Sequence, residues 1–201
     1  MVDLFKDKAE DWDDRPIPAQ ISEGVYKALC DAVQLSSDKT VMDFGAGTGL
    51  ICMRIAPLVK QVIAVDVSQA MLEKLAQKAA AHNNVEVLCQ NLLEAPLERQ
   101  VDVVVSAMAM HHVEDTRALM QTLHRQLAPG GSLAMADLDA EDGSFHPPNI
   151  EGVYHHGFGR EALASLMQEV GFRTPEFRTA CVVHKDGKQY PIFLATASKT
   201  D

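Results

Sequence analysis

Residues 41–50 read VMDFGAGTGL. Gly45, Gly47 and Gly49 follow directly on a short apolar run, TVMDF at 40–44, and precede a segment of helical character. Without Cβ atoms, glycines let backbone amides approach a ligand lying over a strand end. A tight strand-to-helix turn has the same composition, so the loop alone decides little. The next apolar run, QVIAVDV at 61–67, carries Asp66, 21 residues after Gly45. At that spacing a carboxylate accepts hydrogen bonds from both hydroxyls of a ribose. Together the two features predict a nucleoside-bearing ligand above two parallel strands.

The pattern extends along the chain. Ile17, Ile21, Val25 and Leu29 form the apolar stripe of a first helix, with Pro16 and Pro18 in its first turn. Strands are predicted at 40–44, 61–67, 85–90, 101–108 and 132–138. Helices are predicted between them: through about Leu58, after the capping residue Ser68, and from about Asp115 to Leu127, where APGG ends the helix with Gly130 as a left-handed cap. This alternation implies right-handed crossovers and a mostly parallel sheet covered on both faces. After a helix at 160–170, two apolar runs flank KDGK, which predicts a hairpin adding an antiparallel strand at the sheet's end.

Composition narrows the partners. The 201 residues carry a formal net charge of −10 and no cluster of Lys or Arg, which argues against nucleic acid. No apolar run reaches the roughly 20 residues that span a bilayer, so no membrane association is expected. The N-terminal stretch MVDLFKDKAEDWDD lacks an apolar signal core, and a cytoplasmic location is the expectation. Cys30, Cys52, Cys89 and Cys181 form no CxxC pair and read as reduced thiols.

Two cofactor classes share a glycine loop with an acidic partner. A dinucleotide fingerprint needs GxGxxG, but its third position falls on Leu50, with Gly49 one residue early, which disfavours a nicotinamide cofactor. The chain instead resembles the class I S-adenosylmethionine-dependent methyltransferases of the small-molecule branch. VMDFGAGTGL is similar to their first motif, VIAVDVS to their second, LAPGGSLAMAD to their fifth-strand region, SAMAMHHVED to their fourth-strand exit and AEDWDD to their N-terminal cover. The resemblance implies a three-layer Rossmann-like methyltransferase fold with a mostly parallel seven-stranded sheet and an antiparallel C-terminal hairpin strand. It implies one domain over 1–201: a cover and helix at 1–35, a cofactor core at 36–138, a lid and acceptor loop at 139–158, and a final helix and hairpin at 159–201.

The same resemblance assigns cofactor contacts. Gly45, Ala46 and Gly47 would meet the methionine part of S-adenosylmethionine, with Asp43 near its amino group and Asp66 on the ribose. Val67 and Met71 would pack on the adenine, whose edge would meet Asn91 or the Leu92 amide; Asn91 stands where the family usually has an acid. Ala107 and His112 complete this set. The implied reaction is in-line methyl transfer to a small-molecule acceptor, leaving S-adenosylhomocysteine, by a monomer or homodimer. A cofactor-binding subunit without turnover of its own is the competing reading.

For the acceptor side, polar residues gather where ligands bind in open α/β sheets, at the C-terminal strand ends. His111 follows the fourth strand; Asp137 and Asp139 follow the fifth, where they either serve chemistry or satisfy loop amides. The segment 140–158 is long for a connection, as binding loops are. Trp12, His146 and Tyr154 are expected against the acceptor, and His111 and His156 are the candidate catalytic residues. Adjacent His155 and His156 diverge in an extended segment, so a metal is not expected there. In GFGR, Gly159 takes the capping position of the last helix and Phe158 its hydrophobic staple.

Overall fold

The computed structural model describes residues 3–148 and 150–200. Seven strands form one sheet: β1 (Thr40–Phe44), β2 (Gln61–Asp66), β3 (Val85–Cys89), β4 (Val101–Ala107), β5 (Leu127–Leu138), β6 (Glu176–Lys185) and β7 (Lys188–Ser198). Their spatial order is β3-β2-β1-β4-β5-β7-β6. β1 to β5 pair in parallel, while β7 runs antiparallel to both β5 and β6. The order reverses between β1 and β4, which places a topological switch point beside the glycine loop.

Alternation along the strands divides the core into two layers. Val41, Val62, Val103 and Ala134 face one side, against Val25 and Leu29 of α1 (Pro16–Ala32), Ile55 of α2 (Cys52–Ile55) and Leu75 of α3 (Gln69–Ala79). Met42, Ile63, Val104 and Leu133 face the other, against Leu119 and Leu123 of α4 (Thr116–Gln126) and Met167 of α5 (Arg160–Val170). Burying apolar surface on both faces at about 25 cal/mol per Å² is what holds a parallel sheet together. Among the described residues, no helix is long and apolar enough to cross a membrane.

Local chemistry explains the element ends. Ser68 caps α3 by accepting from the Met71 amide, and Asp115 caps α4 by accepting from the Ala118 amide. The β6–β7 turn places Asp186 at φ 52° and Gly187 at φ 75°, the pair of positive values that a type I′ hairpin requires. Two expectations change. The helix after the glycine loop is a single turn, Cys52–Ile55, which tightens into a 3₁₀ turn over Ala56–Leu58. Pro57 supplies no amide to extend it.

The second change is at APGG. α4 ends at Gln126, and Gly130 is no helix cap but lies inside β5. Leu127 pairs with Val101 and Ser132 with Val103, so the extra residues between them bulge outward from the sheet. Gly130, at φ 70°, permits that excursion. Gly171 is the residue that ends a helix left-handed, at φ 114° after α5.

Candidate functional site: a cofactor cradle joined to a histidine chamber

At the C-terminal ends of β1, β2 and β4 lies one cavity of about 430 Å³. The glycine loop forms its floor. Gly47 has φ 52° and nothing within 4 Å of where a Cβ would stand, so its backbone faces open cavity. A Cβ on Gly45 would meet the Ala109 Cβ at 2.3 Å, which fixes glycine there by packing.

Asp66 holds the loop from the neighbouring strand. Its Oδ2 accepts from the Gly47 amide at 2.8 Å and its Oδ1 from the Ser68 amide at 2.8 Å. Each oxygen keeps a second lone pair, so the carboxylate is oriented and still able to accept from a diol. Asp43 behaves differently. Its Oδ2 is buried and, among the described residues, has no hydrogen-bond partner. Burial, together with the Asp66 charge, pushes its carboxyl up to about 8. A buried acid with one unpartnered oxygen beside an open glycine loop fits a cationic donor group, as the amino end of S-adenosylmethionine provides.

Val67, half exposed at 52%, and buried Met71 line the same cavity with Leu92 and Ala107. Asn91 lines it too, but its side chain is engaged locally. Nδ2 donates to Glu94 Oε1 at 2.9 Å and Oδ1 accepts from the Leu93 amide at 3.1 Å. Its carboxamide therefore shapes the turn after β3 as an Asx motif, and any ligand contact shares those groups.

The cavity continues into a chamber of aromatic and imidazole rings. The 3₁₀ turn Met110–His112 follows β4, and the parallel register Ala107↔Ala136 sets it beside Asp137 at the end of β5. His111 is buried, with Nδ1 at 2.7 Å from Asp137 Oδ1; its backbone amide donates to Asp137 Oδ2 at 3.2 Å. His146 reaches in from the loop after β5, its Nε2 at 3.2 Å from Nε2 of His111. His112 Nδ1 donates to the Gly152 carbonyl at 2.6 Å, and its ring meets Phe5 edge-on at 5.1 Å. Burial and the neighbouring His111 push His112 down to about 3 and His146 down to about 4, so both are neutral near pH 7.

The N-terminal segment closes one side. Trp12 and Phe5 line the cavity, their rings edge-to-face at 6.1 Å. The Asp3 carboxylate accepts from the Ala70 amide, and Asp13 accepts from Thr48 and Lys78, which ties the segment to α3 and to the glycine loop. Tyr154 stands at the rim with 54% of its surface exposed.

His156 is not brought to this site. Its side chain is 60% exposed and lies 3.8 Å from Glu141, on the outer side of the loop. The amides of Tyr154 and His155 donate to the His111 carbonyl, and the His156 carbonyl accepts from the Glu141 amide. That pinning turns His156 outward, while His155 faces the carbonyls of Val113 and Glu114. Asp139 is likewise committed elsewhere, to a two-pronged pair with Arg160 at 2.7 Å on each prong. Among the described residues, no group of His, Cys, Asp and Glu is arranged to hold a metal. Sequence reasoning gave no role to Phe145, which packs edge-on against His146 at 5.0 Å, and left that of Asp137 open. A carboxylate inside the apolar strand run MADL was the available signal for Asp137.

Known proteins share this organisation. Residues 41–131 match the family model described as "Methyltransferase domain". An uncharacterized methyltransferase of Mycobacterium bovis is 37% identical over 144 residues, covering 71% of this chain and 68% of that protein. An uncharacterized methyltransferase of Schizosaccharomyces pombe is 32% identical over 157 residues, 70% of this chain. The match spans 55% of that relative's own length. The N-methyltransferase NodS of Bradyrhizobium japonicum, solved with S-adenosylhomocysteine, superposes with a TM-score of 0.75 over 99% of this chain and 95% of that one. At 17% identity that likeness is one of fold. Sequence relatives, sheet order and cofactor cradle agree: the chain belongs to the class I S-adenosylmethionine-dependent methyltransferases.

Proposed function

We propose that the chain transfers a methyl group from S-adenosylmethionine to a small-molecule acceptor that docks in the histidine chamber. The observation that carries this reading is the continuity of the cofactor cradle with a ring-lined chamber in one cavity of about 430 Å³. A macromolecular acceptor would have to project a slender group into that space. When bound, S-adenosylmethionine supplies a methyl group already activated on a sulfonium sulfur, so the protein's tasks are alignment, exclusion of water and handling of a proton.

Residues of the cradle divide the binding. Asp66 receives the ribose hydroxyls, Asp43 the amino group, the Gly45–Gly47 backbone the methionine part, and Val67 and Met71 the adenine faces. Phe5 and Trp12 cover the opposite side and exclude water. The acceptor would then lie between His111, His146 and Trp12, which line the same cavity as the glycine loop. Tyr154 at the rim forms the entrance.

A methyl-transfer screen with purified protein tests the reading. Phenols, thiols, amines and carboxylates are offered singly with S-adenosylmethionine, and formation of S-adenosylhomocysteine is followed. Acceptor-dependent product is expected for at least one class. Tight cofactor binding with no turnover on any class would replace this reading by that of a cofactor-binding subunit.

A further inference from the structure

The hydrogen-bond directions in the chamber decide where a proton can go. Asp137 accepts from two backbone amides, those of His111 and Leu138. Its Oδ1 is therefore an acceptor toward His111 as well, and Nδ1 of His111 carries the hydrogen across the 2.7 Å contact. With a single ring proton, on Nδ1, His111 has a bare Nε2. The 3.2 Å contact between the two Nε2 atoms needs one donor, and with that singly protonated form of His111 the donor is His146. So His146 carries its hydrogen on Nε2, and its Nδ1 holds a lone pair. Among the described residues Nδ1 of His146 has no hydrogen-bond partner, and the residue lines the chamber.

Resting on the methyl-transfer reading above, we propose that His146 is the general base of the reaction, that His111 and Asp137 form the relay that takes up its charge, and that the acceptor is an uncharged aromatic hydroxyl compound. As the acceptor oxygen uses a lone pair to form its bond to the methyl carbon, the carbon–sulfur bond returns its pair to sulfur. The hydroxyl proton passes to Nδ1 of His146. The Nε2 hydrogen of His146 shifts to Nε2 of His111, and the resulting imidazolium lies against the buried carboxylate of Asp137. Charge is conserved: the sulfonium becomes a neutral thioether, and the positive charge ends paired with Asp137.

His112 is the rival base, because its Nε2 is also free of described partners and faces the same chamber. It fails on what lies behind it. Its Nδ1 donates to a neutral carbonyl, that of Gly152, so a proton taken by His112 would remain a buried charge beside Phe5. The relay behind His146 ends instead on a fully buried carboxylate. His146 is also held in place: its ring meets Phe145 at 5.0 Å, Phe145 packs on Tyr190 at 5.2 Å, and Pro147 and Pro148 stiffen the chain that follows.

The acceptor class follows from the chamber walls. Phe5, Trp12, Phe145 and Tyr154 offer faces and edges for a ring, although aromatic residues are few in the chain. None of the described lining residues is Lys or Arg, and Lys8 and Lys185 stand behind the rings of Phe5 and Phe145, 5.1 and 5.8 Å from their centroids, so a carboxylate or phosphate acceptor meets no direct ion pair. A thiol ionises in solvent, and an aromatic amine attacks with its lone pair before losing a proton. A phenolic hydroxyl is the nucleophile whose proton has to leave during the transfer.

Two measurements test this. In ¹⁵N-histidine-labelled protein without ligand, with signals assigned through His146→Gln and His111→Gln, nitrogen shifts should report hydrogen on Nδ1 of His111 and on Nε2 of His146. A proton on Nδ1 of His146 overturns the relay. Initial rates are then compared for phenol, 4-nitrophenol and thiophenol. His146→Gln should slow phenol methylation roughly 10²- to 10⁴-fold, with progressively smaller losses on 4-nitrophenol and thiophenol. His111→Gln should follow the same order, and S-adenosylmethionine affinity, read by calorimetry, serves as the fold control. Equal losses on all three acceptors would make His146 a packing residue and overturn the base assignment. Absence of turnover on any acceptor would count against methyl transfer itself, while the nitrogen spectrum would still decide the relay.

Discussion

At the residue scale, single carboxylates define this site, and each is defined by what it already holds. Asp66 anchors two backbone amides before any ligand arrives. Asp66→Ala should therefore weaken S-adenosylmethionine binding roughly 10- to 100-fold, the worth of hydrogen bonds to a charged group. It should also loosen the glycine loop, seen as faster amide exchange at Gly47 and Ser68. Unchanged affinity, measured by calorimetry, would remove Asp66 from the cofactor site. Its position beside the glycine loop was legible in the sequence because it follows from chain spacing alone. Asp137 was not, because its partner His111 lies 26 positions away and meets it only through the register of β4 and β5. His156 was misplaced for a related reason: which of two adjacent side chains faces inward depends on the hydrogen bonds of Tyr154 and His155 to His111.

Elements were legible in proportion to how local their causes are. The apolar runs of β1, β2 and β4 are buried on both faces, so they stand out without knowledge of neighbours. The hairpin was legible too, since Asp-Gly selects the type I′ turn by itself. Gly187→Ala places a Cβ at φ 75° in open space, so its cost is conformational, about 1 kcal/mol. That should appear as a lower denaturant midpoint with unchanged slope and unchanged S-adenosylmethionine affinity, because the turn lies outside the cavity. A loss of affinity would show that the hairpin end is coupled to the site. APGG was misread because a glycine after a helical pattern signals a cap, while its actual neighbour is strand β4. Pairing between distant segments overrode the local signal.

At the scale of the whole molecule, the buried acids make folding and cofactor binding pull against each other. Asp43 keeps its proton up to about pH 8 in the ligand-free protein, whereas an unfolded chain loses it near 3.8. Between those values the folded state binds more protons than the unfolded one. Stability of the empty protein should therefore fall as pH rises from about 4 to about 8, and level off above. Binding has the opposite sign. A cofactor that brings an ammonium and a sulfonium favours the Asp43 carboxylate, so binding below pH 8 releases a proton and strengthens as pH rises. The limit for one proton is about tenfold per pH unit. Above about 8 the ligand's own amino group loses its charge, so affinity should peak there. Asp43→Asn removes both trends: a higher thermal midpoint for the empty protein at pH 8, a flat pH profile below it, and binding weakened by roughly 10- to 100-fold at the peak. Calorimetry in two buffers of different ionisation enthalpy counts the released proton directly. No release at pH 7 would mean that Asp43 does not change its protonation on binding, which would remove it as the source of both pH trends.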